Sequence, residues 1–315
     1  MQPLSAIDAL GRGIANVRAN WELLLAQIAA MFALALVVAV SIVPLVIALG
    51  ASFADLGKLD GSDPQAVLDL LRPERWLSAG VLVAVVASLV FGTLAILVYS
   101  WFQAGVFGIL VAGDRQAGAG AGRPRGLFRT FSWRDFSGWA SRGTWRFFGW
   151  YHLYLTVLTL MVAALGALAL AAISVGVSQG PMAGVGVGCG GALPLFFALF
   201  YVSLVFEAAK ADLAREDSGA VASWRRGAGV VARRIGGTLL LFLLFFCASM
   251  AMSMLVLPLQ LLAEFGLRDQ MVAYVALQLV VYLVQWGLGS VFGLIYGASF
   301  VALVRAELPD AHGPR

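Results

Sequence analysis

Few side chains in this chain could carry out covalent, redox or metal chemistry, and their spacing argues against it. Histidine occurs only at His152 and His312, and cysteine only at Cys189 and Cys247. A bis-histidine haem needs two histidines at membrane depth, but His152 opens an apolar run ("WYHLYL") while His312 sits in the C-terminal tail. Two readings of His152 stand: a histidine hydrogen-bonded to a neighbouring helix near the membrane boundary, or a pigment or haem ligand. The two cysteines lie far apart in apolar surroundings. They form neither a disulfide framework nor a metal set, and are expected to be buried thiols. No HExxH, CxxC pair or Ser-His-Asp arrangement occurs. No catalytic residue, metal ligand or cofactor is expected.

Two glycine-rich stretches look like phosphate loops only formally. Gly186, Gly188 and Gly191 spell GxGxxG, but a dinucleotide site needs a preceding strand within a βαβ unit. Here the motif lies inside 60 residues, 147–206, that hold no Asp, Glu, Lys or Arg. "GAGAGRPRG" (118–126) lacks the GK[ST] ending and reads as a linker. Ionisable groups inside a bilayer are the usual sign of transport or catalysis. None is expected at mid-span, with Glu207 and Glu264 placed at span ends within reach of water.

The elements that must position these residues follow from hydropathy. Of 315 residues, 61% are hydrophobic and 12% charged, against about 45–50% and about 25% for soluble domains. The mean hydropathy is +0.90. Such long uncharged runs predict an integral membrane protein, all-α, forming a single membrane domain over 1–315. About 20 apolar residues cross the hydrocarbon core as a helix, and six spans are expected, at roughly 23–49, 78–101, 148–176, 190–206, 236–263 and 271–304. The uncharged run 77–113 would measure about 55 Å as one helix against a core of about 30 Å, so a break is expected around Gln103–Gly108. The glycine-rich segment 178–191 is expected to form a tight hairpin, and Pro44, Pro194 and Pro258 to kink their helices. Residues 1–20 are amphipathic and do not resemble a signal peptide.

Orientation follows from the basic residues. The N-terminal segment carries two, the 114–146 loop seven, the 207–234 loop six and the tail two, or 17 in all. The opposite side carries three in 50–76 and one at Arg268, or 4. Both termini are therefore expected in the cytoplasm. A net charge of +4 would suggest nucleic acid only if it covered a soluble face, and no such face is predicted.

The chain also aligns with itself. "AIDALGRGIANVRANWELLL" from Ala6 matches "AVASWRRGAGVVARRIGGTL" from Ala220, with Arg12–Gly13 on Arg226–Gly227 and Val17 on Val231. Each copy has apolar residues at helical spacing (Ile7, Leu10, Ile14, Val17 and Trp21 in the first) and ends where a span begins. A third stretch, "RGLFRTFSWRDFSGWASRGTWRFFGW" (125–150), holds the same place before the third span, with five arginines among nine aromatics. The expected architecture is three helical hairpins, each preceded by a cytoplasmic amphipathic helix.

Within 125–150, Phe128, Phe131, Phe136 and Trp139 fall on one helical stripe. A basic aromatic helix leading into a span fits the membrane interface, with aromatics at the headgroup boundary and arginines on anionic lipid. Arg125, Arg129, Arg134, Trp133, Phe136 and Trp139 are the candidate lipid or partner surface. Gln27, Gln103 and Gln260 are expected to bond to neighbouring helices. Gln278 and Gln285, seven apart on one face, could do the same or line a polar cavity. Gly289, Gly293 and Gly297 form a small-residue stripe suited to close packing, within the chain or in a homodimer.

The stretches "ALGRGIANVRANWELLL", "RTFSWRDF" and "ASWRRGAGVVARRIGGTLL" give the chain a resemblance to a broad group of bacterial six-span membrane proteins. That group includes the membrane domain fused to some glycerophosphodiester phosphodiesterases. The resemblance implies this topology and a place in the bacterial inner membrane, and transfers no catalytic residue. The function expected is non-enzymatic: an accessory, scaffold or lipid-organising subunit, with anionic lipids, other membrane subunits or a second copy of the chain as its candidate partners. The alternative is a carrier for a small uncharged or amphiphilic molecule.

Overall fold

The computed structural model describes residues 4–52, 79–118, 122–215, 218–267 and 270–308. The acidic 50–76 loop beyond residue 52, Arg268 and the tail with His312 lie outside the described residues. Among those described, the chain is helical throughout. In order it forms α1 (Ala6–Ala19), α2 (Glu22–Ser52), α3 (Ala79–Ala117), a 3₁₀ turn (Arg125–Phe128), α4 (Trp133–Gln179), α5 (Pro181–Arg215), α6 (Ala220–Arg233), α7 (Ile235–Leu261), a π turn (Leu262–Gly266) and α8 (Met271–Glu307). Five of these are long and apolar enough to cross a membrane. There are six if Ala6–Ala19 and Glu22–Val37, bent by 85°, count as one broken span.

Two compact units result, one made of Met1–Ile28 with Trp101–Arg315 and the other of Ala29–Ser100. In the smaller unit, Thr93 and Ser100 return their hydroxyls to the carbonyls of Leu89 and Ile96, so neither offers a free polar group. Leu36, Val83 and Leu89 are exposed there, as lipid-facing side chains are. The larger unit holds all the other helices. Its central helix is α8, in which 56% of the most apolar stretch is buried, against 11% or less in the other candidate spans.

Capping explains where two helices begin. Ser5 accepts from the Asp8 amide at 3.1 Å and donates to its carboxylate at 2.6 Å, and Ser132 does the same with Asp135 at the same two distances. An acid in the first turn also meets the positive end of the helix dipole. Gly180 (φ 102°) ends α4, in a left-handed backbone region that a side chain would strain.

The structure revises three expectations. No break interrupts α3 at Gln103–Gly108; it runs unbroken for 39 residues. Its last turns leave the lipid-length argument behind because Ala104, Val106, Phe107, Ile109 and Leu110 are buried in protein. The tight hairpin expected over 178–191 is much shorter than that segment. The turn is confined to Gly180, and α5 begins at Pro181, so Gly186, Gly188 and Gly191 are helical. Helical glycine there permits close approach: a Cβ on Gly184 would stand 2.6 Å from the Ala172 carbonyl and 2.8 Å from the Gly176 Cα. Finally, Gly289 and Gly293 are exposed with no neighbour near an added Cβ, and only Gly297 meets another helix, at Phe107. Leu294, between them, is the buried residue.

Burial on α1 and α6 follows one register. Ala9, Gly13, Asn16 and Val17 are buried on α1, and their aligned counterparts Ser223, Gly227, Val230 and Val231 on α6. Gly13 lies against α8, where a Cβ would meet the Ile295 carbonyl at 2.9 Å, and Gly227 against α5, 2.8 Å from the Ala209 nitrogen. A third Arg-Gly pair, Arg142–Gly143, opens α4, with Gly143 2.7 Å from the Ala104 Cβ of α3. The sequence comparison did not pick it out, because aromatics replace the small residues around it.

Alanine scanning of glycine separates these sites by sign. Gly13→Ala and Gly184→Ala should each cost about 1–3 kcal/mol through overpacking. Gly289→Ala and Gly293→Ala should gain up to about 1 kcal/mol from helix propensity. Thermal unfolding of the detergent-purified variants reads the difference.

Candidate functional site

The polar side chains of the larger unit gather where α1, α3, α8 and the segment after the 3₁₀ turn meet. α1 carries Arg12, Asn16 and Asn20 at a spacing of four, which puts them on one face. Arg12, 5% exposed, donates through Nε (2.9 Å) and Nη2 (2.6 Å) to Oδ1 of Asp114, itself 3% exposed. Arg12 Nη2 also reaches the Gly118 carbonyl at 2.8 Å. From α8, Arg305 donates to Oδ2 of the same carboxylate at 3.0 Å and to the Asp114 carbonyl. One buried carboxylate thus joins two arginines separated by most of the chain. The Phe128 ring closes the site, 5.3 Å from the Arg12 guanidinium carbon.

Asn20 and Asn16 extend this network. Asn16 donates to the Leu110 carbonyl at 2.8 Å. Asn20 accepts from the amides of Thr130 and Phe131 at 2.9 and 2.8 Å, and donates to the Phe128 carbonyl at 2.7 Å. A buried amide side chain bonded in this way fixes the 128–131 segment without a regular element. At the start of α2, Glu22 takes a two-pronged bond from Arg129, which raises the Arg129 pKa.

A second charged group lies between α3, α5 and α8. Lys210 Nζ is 2.8 Å from Glu207, and both side chains are largely buried. The ammonium stands 4.5 Å from the Phe206 ring and 5.0 Å from that of Phe107, within range of a cation–π attraction. Glu207 was expected to reach water from a span end. Instead, Lys210 one helical turn away neutralises it inside the protein. Further out, Arg226 of α6 bonds the fully buried Asp212 of α5 at 2.9 Å, and Arg234 pairs with Glu307.

The arginine-aromatic stretch divides between inside and outside. Phe136, placed on the candidate surface, is 1% exposed and packs edge-on against Trp101 at 5.6 Å. Trp139 covers Gly108 of α3, and Phe128 is buried against Ala19 and Ala117. Phe128 and Phe136 are thus buried and Trp139 half-buried, with Gly105 and Gly108 on α3 leaving room for Phe136 and Trp139. Of the six candidates, Arg125, Arg129, Arg134 and Trp133 remain exposed. The outward face of α4 carries Trp133 and Trp145, 60% and 70% exposed, with Arg134 and Arg142 beside them. On α1 the large apolar Ile7 faces out, at 68% exposure.

The remaining candidates scatter. Gln27 and Gln103 bond each other at 2.9 Å, as expected of polar span residues. Gln278 joins Tyr274 on the Glu264 carboxylate, near the π turn, and Gln285 has no side-chain bond to it. His152 turns Nδ1 to the Phe148 carbonyl of its own helix at 2.9 Å, not to a neighbouring one. Cys189 and Cys247 are exposed, contrary to the expected burial. Among the described residues no three His, Cys, Asp or Glu side chains are grouped to hold a metal. The polar face of α1 is legible in the sequence as Arg12, Asn16 and Asn20, beside the more prominent apolar stripe. Lys210 was hidden in a loop tally.

The central carboxylate can be tested directly. Asp114→Leu leaves the Arg12 charge buried and should cost about 3–5 kcal/mol, whereas adding Arg12→Met should restore more than half of it. Simple additivity of the two changes in thermal unfolding would rule out the coupling.

No family model, curated protein or solved structure matches this chain, so its assignment rests on the geometry of a helical protein with several helices long and apolar enough to cross a membrane, in which Arg12, Asp114, Asn16 and Asn20 are bonded internally while Trp150 Nε1 and Ser290 Oγ are buried without a hydrogen-bond partner among the described residues.

Proposed function

We propose that the chain is a non-enzymatic protein of the bacterial inner membrane, an accessory, scaffold or lipid-organising subunit. In this reading six spans form three hairpins, each led by a cytoplasmic amphipathic helix, with both termini cytoplasmic. The observation that carries it is the commitment of the buried polar groups to one another. Arg12, Asp114, Asn16 and Asn20 build one connected base, and Gln27 with Gln103 likewise satisfy each other. Groups spent on internal bonds fix a shape; they do not bind and release a solute. The exposed Trp133, Trp145, Arg134 and Arg142 of α4 suit a headgroup layer.

The alternative, a carrier for a small uncharged or amphiphilic molecule, draws on one observation. Glu207 and Lys210 form a close, largely buried pair beside the rings of Phe107 and Phe206, from two helices, and ionisable groups at such places mark transport paths elsewhere. Gln278 and Gln285 lend it no support, since Gln278 is taken by Glu264.

Two measurements test this. In a Cys-free background, a single Cys at Ser62 should label from outside intact cells and one at Ser141 should not; external labelling at 141 would invert the topology. Purification in mild detergent with mass spectrometry of co-eluting species should return fixed protein partners or lipids at constant stoichiometry. A soluble metabolite retained instead, and lost in Lys210→Met, would establish the carrier.

A further inference from the structure

The bend between α1 and α2 holds an open pocket of about 390 Å³, lined by Ala19, Trp21, Arg125, Gly126 and Arg129. We infer that this pocket is a site for the phosphodiester headgroup of an anionic phospholipid, with Arg125 as its principal ligand. The inference deepens the membrane reading above and rests on it, since it requires α2 to cross the bilayer and α1 to lie along its surface.

Charge complementarity is the first argument. Arg125 and Arg129 line the pocket, Arg18 directly precedes the lining Ala19, and the neighbouring carboxylate, Glu22, is paired with Arg129. Arg129 spends its fork on Glu22 and a further bond on the Ala19 carbonyl. Arg125 spends one bond, from Nη2 to the Arg18 carbonyl at 2.5 Å. That bond holds the guanidinium at the pocket wall and leaves its other N–H groups without a partner among the described residues. A guanidinium so placed suits a phosphate, which accepts two parallel bonds. Gly126 adds to the opening, because nothing lies within 4 Å of where its Cβ would be.

The second argument selects a lipid over a free phosphate. The pocket sits where the uncharged run of α2 begins, and the chain turns there by 85°. Trp21 lines it at 54% exposure, and Leu25, one turn further along α2, is 51% exposed. A phosphate held by Arg125 thus has an aromatic ring beside its glycerol and an apolar helix face for its acyl chain. Tryptophan at such a boundary places its apolar body inward and its N–H toward headgroups.

The test uses the full-length protein in mild detergent, with native mass spectrometry of lipid adducts. Probes are phosphatidylglycerol, phosphatidylcholine and soluble glycerophosphate. Wild type should retain one phosphatidylglycerol in preference to phosphatidylcholine. Arg18→Gln with Arg125→Gln should weaken that first adduct about thirtyfold, the factor two surface arginines supply. Arg134→Gln with Arg142→Gln removes equal charge from the outer face of α4 and should change it less than about threefold. Arg129 is left intact because its pair with Glu22 supports the bend, and both variants should unfold at the wild-type temperature. Equal loss in the two double variants would overturn the site in favour of a diffuse basic surface. Equal retention of phosphatidylcholine would overturn it as well, as would displacement of the lipid by equimolar glycerophosphate. Each of these leaves the topology result at Ser141 standing, so failure of the site and failure of the membrane reading are separable.

Discussion

A carboxylate taken out of water is costly unless its charge is matched and its lone pairs are filled. Asp114 meets that condition only with help from both ends of the chain, Arg12 on α1 and Arg305 on α8. Its backbone carbonyl takes part too, accepting from both arginines. The base of the larger unit is therefore not assembled in chain order. α1 finds its counter-charge on α3, but the face that carries Gly13 packs on α8, so α1 is not fully seated until that helix, distant in sequence, has arrived. The hydrogen bonds from Asn20 to the 128–131 segment depend in turn on where Arg12 holds α1.

Hydropathy made the spans legible because run length alone distinguishes a membrane helix. It misjudged what buries them. In water the large apolar face of an amphipathic helix turns inward; in a bilayer it gains nothing by doing so, and small residues that let backbones approach become the contact. α1 shows the inversion: Ile7 faces out, while Ala9, Gly13 and Asn16 face the protein. Glycines in 178–191 were read as a loop for the same reason, although Gly184 serves as the contact between α4 and α5. The expected break in α3 assumed that every apolar residue must sit in lipid, whereas its last turns are clothed by protein.

The arginine-aromatic stretch needed the structure most. Its stripe of phenylalanines has helical spacing, but spacing cannot say whether lipid or glycine-lined helix lies opposite. Gly105 and Gly108 decide it: they admit Phe136 and Trp139 against α3, and the aromatics left exposed on α4 are Trp133 and Trp145. Lys210 posed the opposite difficulty. A lone lysine beside an acid in a basic segment looks like surface charge, and only the convergence of Phe107 and Phe206 from two helices turns it into an interior group.

The three leading segments also differ mechanically. α1 and α6 are each separated from the following helix by a short non-helical break, at Asn20 and at Arg234. α4 has none: its 47 residues form one rod from Trp133 to Gln179, about 70 Å long. A jointed pair can absorb a change in the tilt of its span at the joint. An unjointed rod must swing its far end by the same angle. A span that re-tilts to match bilayer thickness would, in such a rod, carry Phe136 and Trp139 with it against Gly105 and Gly108, whereas a jointed pair would leave its leading helix in place.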